Sequence, residues 1–303
     1  MAEFQVPPSI DPVAARRWAL QAPARSPWLH EEVGRRMAER LQWIMQKPAT
    51  WCSWQPALAG LEAHRLVAAQ LPQARCLVVD EAAHRLAQAR QQLQARWWST
   101  QRWRQPALQF GAVAAGEANM LWANMALHAS ANPQALLQEW HSLLAVDGYL
   151  MFSCLGPDTL KELRRLYAER GWGPVSHDFT DMHDWGDMLV QTGFAEPVMD
   201  MERIVLSFSS AEKLRAELRE LGRNLHRQRH RGLRGRRWLR DWELSLAGQR
   251  ADAGGARPDR LEVTFEIIYG HAFKPAPKLR MQGESRISVE DMQSMLRAGK
   301  RGD

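Results

Sequence analysis

Cysteine and long apolar runs are both scarce in this chain of 303 residues, and each scarcity excludes a class of protein. The three cysteines, Cys52, Cys76 and Cys154, are odd in number and have no CxxC spacing, which argues against a disulfide framework and against a metal site. No apolar run approaches the roughly 18 residues of a membrane helix. The first residues also lack the charged-then-apolar pattern of a secretion signal. We therefore expect a cytoplasmic protein without a membrane span, whose cysteines act as small buried apolar residues.

Tryptophan and arginine are the residues that the chain has in quantity. The 14 tryptophans stand against only three tyrosines, and such large rings usually fill cores and line pockets. The net charge of +6 is concentrated in residues 223–240, which makes an acidic partner possible. The length suffices for one α/β domain with a sizeable core and a smaller addition.

The middle of the chain carries the clearest structural pattern. Short apolar runs at 120–124 and 149–153 flank a segment, 133–144, whose apolar residues recur at the spacing of one helix face. Pro157 then suits the first turn of a further helix. A strand, helix and strand of these lengths pack as a parallel crossover. The sequence therefore predicts an α/β fold with a doubly wound, mostly parallel sheet that binds ligands at the carboxyl ends of its strands.

The same reasoning divides the rest of the chain into a helical start and a single α/β domain. Residues 1–45 form the expected N-terminal helical segment, and residues 46–303 the α/β domain, with a basic helical insertion at 210–258 above the ligand edge. Further helices are predicted over 11–20, 28–45, 58–70, 81–96, 182–191 and 210–221, and further strands over 49–54, 75–80, 108–113, 197–208 and 261–269.

Five motifs resemble one family. They are Trp28–Glu32, Arg36–Leu41, Asn124–His128, Leu155–Leu163 and Met182–Leu189, together with the Gly-Phe pair at 193–194. The chain resembles the class I S-adenosylmethionine-dependent methyltransferases, and within them the malonyl-acyl-carrier-protein O-methyltransferases of biotin synthesis, over residues 10–295. The resemblance implies S-adenosylmethionine as cofactor and acyl carrier protein as partner.

The cofactor motifs of that family are only partly present. Residues 51–60 should hold an acid and a Gly-x-Gly-x-Gly loop, yet they contain one glycine, Gly60, and carry Trp54 where space is needed. By their position in this loop, Trp54 and Gly60 are candidate cofactor-binding residues, together with Asp80 and Asn124. Asp80 matches the ribose-binding acid, and its other role would be a favourable charge at a helix N-terminus. Asn124 would either orient the cofactor or satisfy the strand end. The acid expected near adenine is missing, since only Glu117 lies between 108 and 118.

Two further groups are candidates for contacts with substrate or partner. Arg234, Arg236 and Arg237 belong to a stretch of arginines that would either dock acidic acyl carrier protein or form a solvated face. Nucleic acid ranks low because no nucleic-acid fold signature accompanies them. His271 and Lys274 could hold a carboxylate or the carrier's phosphate, or could form a plain surface turn.

Two functions follow, and the sequence leaves both open. The first is O-methylation of a malonyl thioester on acyl carrier protein, for which orientation can supply much of the rate without an acid–base pair. The second is a non-catalytic binding or assembly protein on the same fold, with Trp51 and Trp54 plugging the cofactor cleft. Catalytic residues and oligomeric state stay undetermined.

Overall fold

A computed structural model describes residues 9–94, 107–252 and 260–277. Its centre is a seven-stranded sheet in the order β3-β2-β1-β4-β5-β7-β6. The first five strands of that order are parallel, whereas β7 runs antiparallel to both β5 and β6. The strands are β1 Thr50–Trp54, β2 Arg75–Val79, β3 Leu108–Phe110, β4 Ala118–Ala123, β5 Leu144–Leu155, β6 Ala195–Phe208 and β7 Leu261–Phe273.

Helices cover both faces of the sheet, which confirms the predicted doubly wound α/β fold. They are α1 Pro12–Gln21, α2 Trp28–Arg40, α3 Pro56–Ala59, α4 Leu61–Gln70, α5 Ala83–Leu93, α6 Pro133–Leu143, α7 Lys161–Glu169, α8 Met182–Thr192, α9 Ala211–Leu221 and α10 Arg236–Asp252. Short 3-10 turns follow α2 at Leu41–Trp43 and β4 at Leu127–Ala129. None of the helices in the described ranges is long and apolar enough to cross a membrane.

Local sequence signals explain where several helices begin and end. Asp11, Asp181 and Ser210 cap α1, α8 and α9, because each side chain accepts backbone N–H groups of the first helical turn. Gly193 ends α8 in the left-handed conformation, with φ of 105°. These helices lie within one or two residues of their predicted bounds.

Several predicted boundaries are wrong. Helix α2 ends at Arg40 rather than at 45, β3 ends at Phe110 rather than at 113, and β5 spans Leu144–Leu155 rather than 149–153. Helix α7 begins at Lys161 rather than at Pro157, because Leu160 takes a positive φ of 59° and its N–H donates to the carbonyl of Thr264. Strand β7 continues to Phe273, past the predicted end at Tyr269, since β5 pairs with it as far as Phe273. The predicted loop at 251–258 lies largely outside the described residues.

The core fills both faces of the sheet. One face packs α2, α4 and α7 against Trp51, Tyr149 and Phe265, and the other packs α6, through Trp140, and α8 against Leu121 and Phe152. All three cysteines are free and buried, as expected. The insertion after β6 supplies α9 and α10, whose residues line cavities at the carboxyl ends of the parallel strands. It therefore lies over the predicted ligand edge.

Candidate functional site

A cavity of about 600 Å³ opens at the carboxyl ends of β1, β2 and β4, the predicted ligand edge of the sheet. Trp54 and Gln55 border it at the end of β1, and Val79 to Glu81 border it at the end of β2. Met125, Ala126 and His128 border it from the loop after β4. Helix α1 covers one side through Ala15, Trp18 and Ala19. This volume lies within the range of small-molecule sites. We call it the first cavity.

The glycine-poor loop after β1 turns without the expected glycines. Gln55 adopts φ of 51°, the left-handed conformation that a glycine would otherwise supply, and Pro56 then begins α3. Gly60 has φ of 134°, and a Cβ there would lie 3.0 Å from Glu31 Oε2. That carboxylate accepts the N–H groups of Leu61 and Ala63 at 2.9 Å. Gly60 is therefore needed where α2 packs against the start of α4, and it does not border the cavity.

The two tryptophans of this region do not plug the cleft. Trp51 is fully buried on the sheet face that packs against α2 and α4, with its ring 4.9 Å from that of His64. Trp54 stands edge-on to Trp140 at 5.8 Å and forms part of the cavity wall. The cleft therefore stays open although the loop carries bulky residues.

Asp80 borders the cavity, but its carboxylate already has strong partners. Arg85 donates from Nε to Oδ2 at 2.8 Å and from Nη2 to Oδ1 at 2.7 Å, and the Ala82 N–H donates to Oδ1 at 2.9 Å. The side chains of Arg85 and Asp80 are only 0 % and 1 % exposed. Such a bidentate pair is strongly oriented. A ribose diol at Asp80 would thus meet a carboxylate that an arginine has neutralised.

Two other carboxylates at the first cavity are more accessible. Glu81 follows Asp80, is exposed, and has no hydrogen-bond partner among the described residues. Glu139 approaches from α6; its partial burial and the negative charge of Glu81 raise its pKa. Glu117 lies elsewhere, at the amino-terminal edge of β4, where it pairs with Arg75 at 2.6 Å. The cavity wall beyond β3 consists of Gly111 and Ala112, so it carries no acid there.

The Asn124 side chain is buried, and its hydrogen bonds hold neighbouring elements together. Its amide nitrogen donates to the carbonyl oxygens of His30, at 2.8 Å, and of Ala59, while its Oδ1 accepts the Ser153 hydroxyl at 2.6 Å. The side chain is buried and does not border the cavity. It ties α2, α3 and β5 to the end of β4.

A second cavity, of about 300 Å³, adjoins the first. The two share the wall residues Trp18, His128, Ala129 and Leu221. Its own walls come from the β5–α7 turn, from α9 and from α10, including Thr159, Leu218 and Trp238. The sequence does not predict this cavity, because its walls combine residues as far apart in the chain as Trp18 of α1 and Phe265 of β7.

The family signature at 155–163 builds the floor of the second cavity. The Asp158 N–H donates to Glu266 Oε2 at 2.6 Å, and the Thr159 hydroxyl donates to the Glu266 carbonyl at 3.2 Å. Glu162 accepts both the N–H and the hydroxyl of Thr264. Gly156 has no room for a side chain, since a Cβ there would lie 2.9 Å from Glu266 Cδ. These contacts lock the β5–α7 turn onto β7.

His271 and Lys274 lie at the opposite edge of the sheet. His271 pairs with Met151 and packs its ring against Phe273 at 4.7 Å. Lys274 Nζ donates to the carbonyls of His141 and Leu144, at 2.8 and 2.7 Å, and so caps the end of α6. Both residues are therefore remote from the two cavities.

The arginine stretch divides into two groups. Arg227 and Arg229 hold the chain before α1 through the Ile10 carbonyl and Asp11, and Arg234 stacks 4.2 Å above Trp238 while donating to the Trp172 carbonyl. Arg223 donates to the carbonyls of Arg219 and Gly222. The other four have exposed side chains that make no ion pair or hydrogen bond within the described ranges: Arg231, Arg236, Arg237 and Arg240. We call these four the free arginines.

Comparison with known proteins places the chain in a family. It is 36 % identical over 283 residues to a malonyl-acyl-carrier-protein O-methyltransferase from Gallionella capsiferriformans, covering 86 % of this chain and 89 % of that one. A protein of the same name from Legionella pneumophila is 30 % identical over 84 % of this chain and 87 % of its own length.

Other likenesses are shorter or more distant. The match to the Laribacter hongkongensis protein of that name, at 43 % identity, spans 55 % of each chain. A solved structure from Bacillus halodurans superposes with a TM-score of 0.51 at 12 % identity, covering 79 % of this chain and 99 % of its own, which shows the fold alone. No protein-family model matches. On the nearly full-length Gallionella alignment, the chain belongs to the malonyl-acyl-carrier-protein O-methyltransferase family.

Proposed function

We propose that this protein transfers a methyl group from S-adenosylmethionine to the free carboxyl of a malonyl thioester on acyl carrier protein, a step of biotin synthesis. The observation that carries the proposal is the open first cavity at the carboxyl ends of β1, β2 and β4. Ligands of open α/β sheets bind at this edge. Relatives that align over most of the chain carry the name of this reaction.

The charges around the first cavity suit this cofactor. When bound, S-adenosylmethionine supplies a methyl group on a positively charged sulfur. Asp80, Glu81 and Glu139 bring carboxylates to the cavity, against one arginine, Arg16, at its border. Glu81 and Glu139 both keep free acceptor positions, and we assign Glu81, directly after Asp80 at the end of β2, the ribose hydroxyls or the cofactor's ammonium group. Gly111 and Ala112 leave a flat, uncharged wall for an adenine.

Methylation of a carboxylate requires little acid–base catalysis from the protein. The nucleophile is already ionised at neutral pH, so the chain's task is to orient it and to exclude water. Met125 and Ala126 cover the cavity from the loop after β4, and α1 covers it from the other side. Methylation removes the charge of the malonyl carboxyl, after which the acyl group can serve as an ordinary primer.

The four free arginines support acyl carrier protein as the partner. They are exposed on α10 and shortly before it, and α10 lines the second cavity through Trp238 and Trp242. An acidic carrier would approach a surface of opposite potential, which speeds association. Arg227 and Arg229 are excluded from this role because they already bind the chain before α1.

Calorimetry and methyl transfer test the function. Purified protein should bind S-adenosylmethionine below millimolar concentration and transfer labelled methyl to malonyl-acyl carrier protein. Glu81→Gln should weaken cofactor binding about fivefold or more, the loss expected for a charge-assisted hydrogen bond. Glu212→Gln, an exposed acid on α9 away from both cavities, is the matched control. Absence of binding at millimolar cofactor would contradict the proposal.

One observation favours the second candidate, a non-catalytic protein on the same fold. The bidentate contact with Arg85 occupies both oxygens of Asp80, the acid that the family resemblance assigns to ribose. The same calorimetry separates the two candidates, since a non-catalytic protein would bind neither S-adenosylmethionine nor its demethylated product.

A further inference from the structure

The second cavity has more unsatisfied polar groups than its apolar walls would suggest. Its body is formed by Leu160, Leu218 and Phe265. Five buried polar atoms of residues at its border have no hydrogen-bond partner within the described ranges: His128 Nδ1, His177 Nδ1, Ser176 Oγ, Trp238 Nε1 and Trp242 Nε1. Buried polar groups are normally hydrogen-bonded, so a cluster of unpaired ones around one cavity indicates a ligand that pairs with them.

These atoms include both a hydrogen-bond acceptor and a hydrogen-bond donor. His177 Nε2 lies 2.9 Å from the carbonyl oxygen of His128, which can only accept, so Nε2 carries the proton. Burial lowers the pKa of His177 to about 4, so the ring is neutral at pH 7 and its Nδ1 is an acceptor. The indole N–H of Trp238 is a donor only. The cavity thus offers both a donor and an acceptor.

An amide can pair with both the donor and the acceptor of the cavity, because it presents an N–H and a C=O together. The arm that joins an acyl group to acyl carrier protein is a flexible chain with two amides, ending in a thioester. The wall shared with the first cavity, at His128 and Ala129, gives such an arm a route to the methyl donor. Arg215, on α9 at the cavity border, has no ion-pair or hydrogen-bond partner within the described residues. It supplies a cation for a negatively charged group of the bound arm.

Resting on the proposed function, we infer that the second cavity is the acceptor site, and that it binds the amide-containing arm of a malonyl thioester through Trp238, Ser176 and His177. The acyl end then lies at the His128 wall, beside the first cavity. On this inference, α9 and α10, the helices of the basic insertion, select the acceptor.

Calorimetry on the full chain without cofactor tests the site by itself. The probe is malonyl-pantetheine, a synthetic malonyl thioester that retains both amides, and the comparison probe is malonyl methyl thioester, which has none. Trp238→Phe keeps an aromatic ring, although a smaller one, and removes the indole N–H. It should weaken binding of malonyl-pantetheine about five- to tenfold, as for a lost neutral hydrogen bond, and so reduce the preference over the methyl thioester. Trp43→Phe, at an exposed indole outside both cavities, should leave that preference at its wild-type value.

A second variant fills the cavity. Leu218→Trp places a large ring between α9 and the floor and should weaken malonyl-pantetheine binding at least tenfold, while S-adenosylmethionine binding stays within twofold. Val190→Trp, at an exposed position of α8, is its control. Unchanged malonyl-pantetheine binding in both Trp238→Phe and Leu218→Trp would overturn the inference. Thioester binding that both variants weaken, without methyl product from the wild type, would support the site and overturn the proposed function alone.

Discussion

The two halves of the ligand edge hold their acidic residues in different ways. On the β5–β7 side, Glu162 and Glu266 accept backbone N–H groups and tie a turn to the neighbouring strand. On the β1–β2 side, Asp80 is neutralised by the buried Arg85, whose Nη1 has no partner within the described ranges. One half uses carboxylates to build the scaffold, and in the other an arginine neutralises the acid that the family resemblance assigns to ribose. The family signature thus lies where the backbone needs support, and on the cofactor side we propose that Glu81 makes the polar contact.

The largest effect is expected from breaking the buried pair. Arg85→Leu leaves Asp80 buried without its cation, which typically costs about 3–5 kcal/mol of unfolding free energy. The double variant Asp80→Leu with Arg85→Leu should recover most of that loss, since two apolar side chains can replace a buried pair. Urea unfolding at pH 7 measures both. A loss below about 1 kcal/mol in Arg85→Leu would show that Asp80 is better solvated than the structure indicates.

The next effect is a pH dependence from buried histidines on both halves. Burial lowers the pKa of His30 and of His177 to about 4, and of His64 to about 3. The unfolded chain therefore takes up protons first as the pH falls below about 6.5, and stability decreases from there towards pH 4. Each histidine should contribute about 2 kcal/mol of that loss at pH 5.

The variant His177→Asn measures the part of this pH-dependent loss of stability that His177 contributes. Unfolding free energies measured between pH 7 and 5 should fall less steeply in the variant than in the wild type. The slope is the readout, because the substitution also changes packing at pH 7. Identical slopes would mean that His177 is accessible to protons in the folded protein.

A smaller loss is expected on the scaffold half. Glu162→Gln keeps the shape of the side chain but replaces a charged acceptor of the Thr264 N–H and hydroxyl with a neutral one. We expect a loss of about 1 kcal/mol in unfolding free energy and no change in S-adenosylmethionine affinity. Glu169→Gln, exposed at the end of the same helix, is the control. Weaker cofactor binding in Glu162→Gln would contradict the view that the carboxylates on the β5–β7 side serve only the scaffold.

The smallest change in stability is expected on the basic surface. Arg236→Ser with Arg237→Ser removes two of the free arginines, so it should raise the KM for malonyl-acyl carrier protein several-fold at low salt, and less at high salt, without altering stability. Arg227→Ser, which releases the Ile10 carbonyl, should instead lower stability. Equal KM values for wild type and double variant would contradict carrier docking at this surface.

Much of the fold follows from short-range patterns in the sequence. The apolar spacing of 133–144 and the apolar run at 75–80 correspond to α6 and β2 within one residue, because helix and strand periods are local properties. Capping residues such as Asp181 mark helix starts for the same reason. The start of α7 was misplaced since it depends on a hydrogen bond from Leu160 to Thr264, about 100 residues away.

The sequence by itself determined the α/β fold, the ligand edge after β1, β2 and β4, and the resemblance to its family. Only the tertiary structure decided that Gln55 turns the loop without glycine, that Arg85 neutralises Asp80, that Asn124 pins α2 to the sheet, and that a second cavity adjoins the first. Periodicity and capping act within a few residues, whereas these contacts depend on which side chains the packed elements bring together.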